Sequence, residues 1–398
     1  LREAKQAAVV AAFEVQSSFD AARRGDPSGP LNTGKEKKAH RGPTLSEAYA
    51  RYVGDPARQR SLKTLLTYQT AGEVITSLLG GDRPLTSISR QECRDLLGSL
   101  QNLPANAKKR WPHLSAKEAL STARERGLPG MSIANANGLM NKFAGLLNWA
   151  VTEELIARNP AKGLRVADPV LARDKRLPFS PSQLKRIFDA PLYTGCEDDE
   201  AGYSKIGTAH PRRARFWVPL IGLFSGMRLN EICQMDADDV VVEEGVTCLH
   251  VTSRSVSTDK RVKTASSERL VPVHPALVEA GWLVYVAEAQ GRGGKLFPEL
   301  PLRHGIYSHD FSRWFGRFLR SCGAEAERTC FHSFRHNFRD AMRAASVERE
   351  LSLALGGWTS GGAVADRYGS GFRVKRLHEA LSSIGYDGLD LSHLVPVR

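Results

Sequence analysis

No apolar run in this chain approaches the roughly 18 residues that a membrane helix requires, and no signal peptide is visible at its start. Cysteine is scarce and scattered. Cys93, Cys196, Cys233, Cys248, Cys322 and Cys330 form no CxxC pair, which argues against a disulfide frame or a zinc ribbon and fits buried thiols in a reducing cytoplasm. Neither a Walker loop nor an acidic two-metal site is present. The HxxxH spacing of His332 and His336 lacks the glutamate of HExxH and any evident third ligand, so no metal and no cofactor are expected, and His336 reads as a supporting core residue. Acidic residues are in deficit: 43 Asp and Glu against 56 Lys and Arg leave a net charge of +13 and a pI near 9.6. An excess of that size suggests a polyanionic partner, although a merely soluble basic protein has the same composition. The chain begins at Leu1 rather than Met and reads as a fragment with upstream residues missing.

What is present is enough for two or three domains in 398 residues, with 41% hydrophobic and 25% charged residues. Residues 1–43 comprise an Ala-rich helix and a Gly/Pro-rich basic linker, GDPSGPLNTGKEKKAHRGP. From Thr44 to Asp168 the pattern is helical, with four or five helices expected. Ser89 and Glu92 form a capping box, and a last helix carries Leu139, Phe143, Leu146, Leu147 and Ala150 before Pro160 disfavours continuation. Lys108, Lys109 and Arg110, beside Trp111, and Asn135, Asn137, Asn141 and Lys142 on the last helix are candidates for contact with phosphates and base edges, or are simply solvated. Residues 169–179 read as an interdomain linker, and Ser180 to Gln183 open a second domain, 180–398. Its residues 195–213 have no apolar period and read as a surface insertion. Strand-like pieces around 239–251 and a hairpin ending in SERLVPVHP follow, then helices at 276–289, 309–322, 332–345 and 347–355.

The chemistry-bearing residues concentrate in this second domain. Arg228 follows Gly226 at a break between helical stretches, and Glu231 lies on the same side one turn on. Lys263 sits in a turn region where Lys260 and Arg261 compete with it as a proton donor. His332 and Arg335 make an HxxR pair on one helix face; Trp358 follows two glycines, and Tyr368 lies in ADRYGSG. Any one of these has a bland explanation as a surface pair, a solvated turn, or a packed or exposed aromatic.

Their order, carried by GLFSGMRLNEI, VKTASSERLVPVHP, FHSFRHNF and LGGWTSGGAVADRYG, resembles the tyrosine recombinase (phage integrase) family, over about 175–385 and more loosely over 44–168. The resemblance implies a mainly α protein: a SAM-like helical core-DNA-binding domain, then an α+β catalytic domain with a small antiparallel sheet. It implies that Arg228 and Arg335 bind the non-bridging oxygens of the scissile phosphate and that Lys263 protonates the departing 5′ oxygen. His332 would hydrogen-bond the phosphate and help manage the tyrosine proton, Tyr368 would be the nucleophile, and Glu231 would support. Trp358 stands where most members carry histidine, which favours N–H donation over proton transfer there.

The implied activity is site-specific DNA recombination through a 3′-phosphotyrosyl intermediate and a Holliday junction, serving a bacterial mobile element at the nucleoid. The implied partners are double-stranded DNA with a specific site, a homotetramer joined through the C-terminal tail, and accessory DNA-bending proteins. The tail itself, VKRLHEALSSI and LSHLV, suits docking on a neighbouring protomer or on its own domain. Two rivals are a type IB topoisomerase-like enzyme that works without synapsis and a regulator that binds DNA but no longer cleaves it.

Overall fold

The computed structural model describes residues 42–58, 60–254, 259–260, 267–358 and 371–396. The expected N-terminal helix and most of the basic linker lie outside them. The chain divides into two compact units, Leu1–Pro169 and Val170–Arg398.

In the first unit, side-chain caps fix where the helices start. Helix α1 (Leu45–Gly54) opens on a Thr44–Glu47 capping box, α2 (Leu62–Leu79) on Ser61, and α3 (Arg90–Asn102) on the Ser89–Glu92 box. A single turn, α4 (Ala107–Arg110), precedes α5 (Ala116–Glu125), which has a Ser115–Glu118 box, and α6 (Ile133–Thr152) is capped by Ser132. The described residues thus hold one short helix beyond the expected four or five, α4 being too brief to show an apolar period. Helix α6 packs against α1, α2 and α3. It buries Met140, Phe143, Leu147 and Ala150, spaced to form one stripe, and leaves Asn135, Asn141 and Asn148 exposed. Asn137 is no surface group: its side chain donates to the Val166 carbonyl at 2.9 Å and accepts the Val166 N–H at 2.8 Å.

The second unit begins with α7 (Pro181–Phe188), α8 (Pro191–Thr194), α9 (Ala214–Ser225) and α10 (Leu229–Cys233). A three-stranded antiparallel sheet follows, β1 (Val240–Glu243), β2 (Val246–Val251) and β3 (Arg269–Pro272), in that order, pairing Val240 with Leu249 and Leu249 with Val271. Where one helix over 276–289 was expected there are two, α11 (Pro275–Glu279) and α12 (Trp282–Arg292), divided at Gly281, whose φ of 90° ends the first. Helices α13 (Ser308–Ser321), α14 (Ser333–Ala344), α15 (Arg349–Gly356) and α16 (Val374–Ser382) complete the unit. The fold is mainly α with a small antiparallel sheet.

Helix α9 is buried along its whole length and packs on α14. Around them Phe179, Phe188, Phe315, Phe318, Phe331 and Phe334 form a continuous aromatic core, with Phe179 and Phe334 centroids 4.9 Å apart. Two hydrogen bonds between Phe179 backbone and Asn337 (2.9 and 2.7 Å) clamp the end of the 169–179 segment to α14. The 195–213 stretch owes its order to polar ties. Asp198 accepts the N–H groups of Glu200, Ala201 and Gly202, and Asp199 pairs with Arg213. The tail packs on its own unit: Leu394 is buried, Arg212 donates to its carbonyl at 2.6 Å, and His393 donates to the Phe188 carbonyl at 2.9 Å. Among the described residues no helix is long and apolar enough to cross a membrane, and no cluster could hold a metal ion.

Candidate active site

The site starts from a helix end. Helix α9 stops at Gly226 (φ 61°), where a Cβ would lie 2.3 Å from the Phe338 ring, so only glycine fits both the left-handed backbone and the close approach. Two residues later Arg228 stands at the N-cap of α10, and Glu231 folds back on it: Oε2 accepts the Arg228 N–H at 3.0 Å and Oε1 meets its Nη1 at 2.5 Å. The other flank of Glu231 is taken by Arg269 at the start of β3, whose Nη2 lies 3.1 Å from Oε2. Arg269 also donates to the Leu355 carbonyl (2.9 Å) and the Ser267 carbonyl (2.9 Å), which joins β3 to the end of α15. Burial alone would raise the Glu231 carboxyl, but Arg269 and Arg228 hold it below its usual value.

Arg335, projecting from the first turn of α14, is 4% exposed. Its Nη1 donates at 2.6 Å to the carbonyl of Gly226, which caps α9, and its Nη2 at 2.5 Å to that of Gly356, the last residue of α15, where helix dipoles favour a cation. Among the described residues it bonds to no carboxylate. The Trp358 ring lies 4.4 Å from its guanidinium and 5.0 Å from that of Arg339, and closes over Gly356, where a Cβ would come within 2.0 Å of the indole. Thus Trp358 gives the cations a π face, whatever its N–H does.

The electrostatics follow from three neighbouring guanidinium groups, of which Arg228 and Arg269 share the Glu231 carboxylate. Burial first, then Arg228 and Arg269, push Arg335 down to about 9 against the opposing pull of Glu231, so it stays charged at neutral pH. His332, at the N-cap of α14, is pushed down to about 4 by burial and by Arg176, Arg335, His336 and Arg228, and is neutral at pH 7. His336, its ring 5.4 Å away, is shifted the same way. The pH consequence has a definite sign. A histidine whose folded pKa lies below its unfolded value of about 6.5 favours the fold above that pH. As pH falls from about 6.5 toward 4, the unfolded chain takes up a proton that the folded site refuses. His332→Gln therefore flattens the loss of urea midpoint between pH 6.5 and 4.5 in DNA-free protein. An unchanged slope would mean that His332 is not titrating in this buried cationic setting.

Lys263 and Tyr368 lie outside the described residues. Lys260, a competing candidate for the proton donor, is excluded by its surroundings: its ammonium is 1% exposed and held by Asp239 and Asp236 at 2.6 and 3.1 Å. Lys263 is four residues from Ser267, whose hydroxyl lies 3.5 Å from Arg228 Nη1. Sequence reasoning missed Arg269, Arg176 and Asn337. Arg269 stands inside a motif it had singled out, SERLVPVHP, and a buried arginine opening a strand next to a glutamate motif was the available signal.

An arginine cluster able to meet an anionic oxygen thus stands on a mainly helical unit with a small antiparallel sheet. Residues 206–371 match the phage integrase family, a span that contains Arg228, Glu231, Lys263, His332, Arg335, His336, Trp358 and Tyr368. Over that span the chain carries a phage integrase family domain. In fold it is similar to the Tn1549 transposon integrase solved with transposon right end DNA (TM-score 0.53, 16% identity, 80% of this chain and 92% of that one). It is also similar to a lambda integrase tetramer bound to a Holliday junction (TM-score 0.51, 16% identity, 88% of this chain and 86% of that one). No curated protein matches it in sequence.

Proposed function

We propose that this chain exchanges DNA strands at a specific site through a 3′-phosphotyrosyl intermediate and a Holliday junction, to integrate or excise a mobile element. The observation that carries the reading is Arg335, a buried cation hydrogen-bonded to two carbonyls and repelled by Arg228 and Arg269. Such a site is completed by an anion. In the proposed reaction the Tyr368 hydroxyl oxygen attacks phosphorus, the bond to the 5′ oxygen breaks, and that oxygen leaves with a proton from Lys263. The phosphodiester becomes a phosphotyrosyl ester of nearly equal energy, so neither ATP nor a metal is required. Arg228 and Arg335 take up charge on the non-bridging oxygens as forks matched to phosphate. Neutral His332 has a lone pair for the tyrosine proton, and Trp358 contributes its N–H and the face under Arg335. Glu231 and Arg269 hold Arg228 in place.

Similarity to a transposon integrase supports the mobile-element reading, and similarity to a tetramer on a Holliday junction supports a tetramer acting on DNA. Exchange of the tail between protomers would keep the Leu394 and His393 contacts seen within one chain. The exposure of Lys108, Lys109 and Arg110 on α4 and of Asn135 and Asn141 on α6 suits DNA contact, whereas Lys142 bonds to its own helix at the Gly138 carbonyl. The test is a nicked suicide duplex carrying the element's end, incubated in EDTA. A protein attached to the 3′ phosphate is expected. No adduct, or one requiring magnesium, would overturn the reading, and relaxation of plasmid without any particular site would favour the topoisomerase.

A further inference from the structure

Behind the arginine cluster lies a second charged network. Lys260 Nζ contacts Asp239 Oδ1 and Oδ2 at 2.6 and 2.7 Å and Asp236 Oδ2 at 3.1 Å. Lys295 Nζ joins Asp236 Oδ1 and Asp259 Oδ1, each at 2.9 Å, and Tyr307 Oη donates to Asp259 Oδ2. Asp239 in addition accepts the Asp236 N–H at 2.8 Å, closing the short helical turn before β1. Buried ion pairs are weak stabilisers, because desolvation offsets most of their Coulomb energy. The network therefore asks for a use beyond holding the fold.

Its geometry supplies one. It ties residues 259 and 260 to α10's exit, to the 295 segment and to the start of α13, just before the chain enters 261–266. On the far side Ser267 is fully buried, with its hydroxyl near Arg228 and its carbonyl bonded by Arg269. Six residues run between two fixed ends, and Lys263 is the third of them. We propose that the Lys260–Asp239–Asp236–Lys295–Asp259–Tyr307 network is a positioning device for leaving-group protonation: it pins the point from which the chain carries Lys263 to the phosphate. The inference rests on reading Lys263 as the proton donor. A general acid works only within hydrogen-bond reach, and a misplacement of about 1 Å can cost a hundredfold. Loosening residues 259–260 misplaces Lys263 while leaving Arg228, Arg335 and the tyrosine untouched, so the damage is confined to departure of the 5′ oxygen.

Single-turnover cleavage tests this with two nicked duplexes, one with the ordinary 5′ oxygen and one with sulfur in that bridging position, which leaves as a thiolate and needs no proton. Lys260→Met is expected to cleave the oxygen substrate about 10- to 100-fold more slowly and the sulfur substrate within about twofold of the parent. Tyr307→Phe, which keeps every charge and removes one hydrogen bond to Asp259, is expected to shift in the same direction by less, and carries the test if Lys260→Met does not fold. Equal losses on both substrates, or no loss on the oxygen substrate, overturn the proposal. Lys263→Ala run in parallel separates the two readings. If sulfur fails to restore it, Lys263 is not the acid; if sulfur restores Lys263→Ala but not the network variants, the network alone is refuted.

Discussion

Tyr368→Phe is expected to bind a core-site duplex as tightly as the parent, with the same salt dependence, and to form no covalent adduct. The substitution removes one oxygen and opens no cavity of consequence, so folding and phosphate contacts survive. Cleavage loses its nucleophile and falls by on the order of 10⁴-fold or more. The structure sharpens the prediction by accounting for the other eight of the nine tyrosines. Tyr49, Tyr52 and Tyr68 belong to the first unit and cluster around Arg60, with Tyr49 and Tyr52 buried. In the second unit Tyr193, Tyr285 and Tyr386 donate to the carbonyls of Phe216, Leu296 and Leu223, and burial pushes each phenol above its ordinary value. Tyr307 donates to Asp259, and Tyr203 lies with its ring against Trp314 and Phe318. Burial disfavours the phenolate form that attack requires. Tyr368, within the family-matched span, is the proposed nucleophile. An adduct that survives in Tyr368→Phe, with the attached peptide mapped to another tyrosine, would sink the assignment.

How far the sequence could be read depended on how local each relation is. Caps at Ser89, Ser115 and Ser180 use side chains three residues apart, so they are visible in the letters, as is the Arg228–Glu231 spacing. The apolar stripe of α6 and the alternation of a small sheet are periodic and readable for the same reason. Arg269 meets Glu231 across 38 positions, and Arg335 reaches carbonyls 109 and 21 positions away. No spacing rule encodes such contacts; they arise only when α9, β3, α14 and α15 pack together. Lys260 misled in a related way. Three positions from Lys263 it has the same chemistry on paper, and only Asp236 and Asp239, more than twenty residues earlier in the chain, show that its charge is already committed. The 195–213 stretch hid its order because Asp198 and Asp199 hold it by backbone bonds and an ion pair, which leave no apolar period.

Arg335→Met is expected to separate stability from catalysis. Its loss deprives the Gly226 and Gly356 carbonyls of their donors, a cost of about 1–3 kcal/mol. Against this, a buried guanidinium disappears that no carboxylate among the described residues pairs with, and with it the repulsion from Arg228 and Arg269. Methionine fills much of the same volume and keeps a contact with the Trp358 ring. The two effects oppose each other, so urea unfolding of DNA-free protein should move by no more than about 1 kcal/mol. Cleavage should fall roughly 10³-fold, the scale on which single cationic or hydrogen-bond donors to a developing oxyanion act. Arg335→Lys should be nearly as inactive, because one ammonium cannot hold two helix-end carbonyls and still offer a fork to the phosphate. A further signature follows from mass action: DNA should raise the unfolding midpoint of the parent more than that of either variant. If Arg335→Met instead unfolds easily while each folded molecule cleaves at the parent rate, Arg335 is a cap for two helices and nothing more. If it folds normally and fails to cleave, the strained cation is held in place for the phosphate, and the marginal cost of keeping it there is the one a stability–activity trade-off predicts.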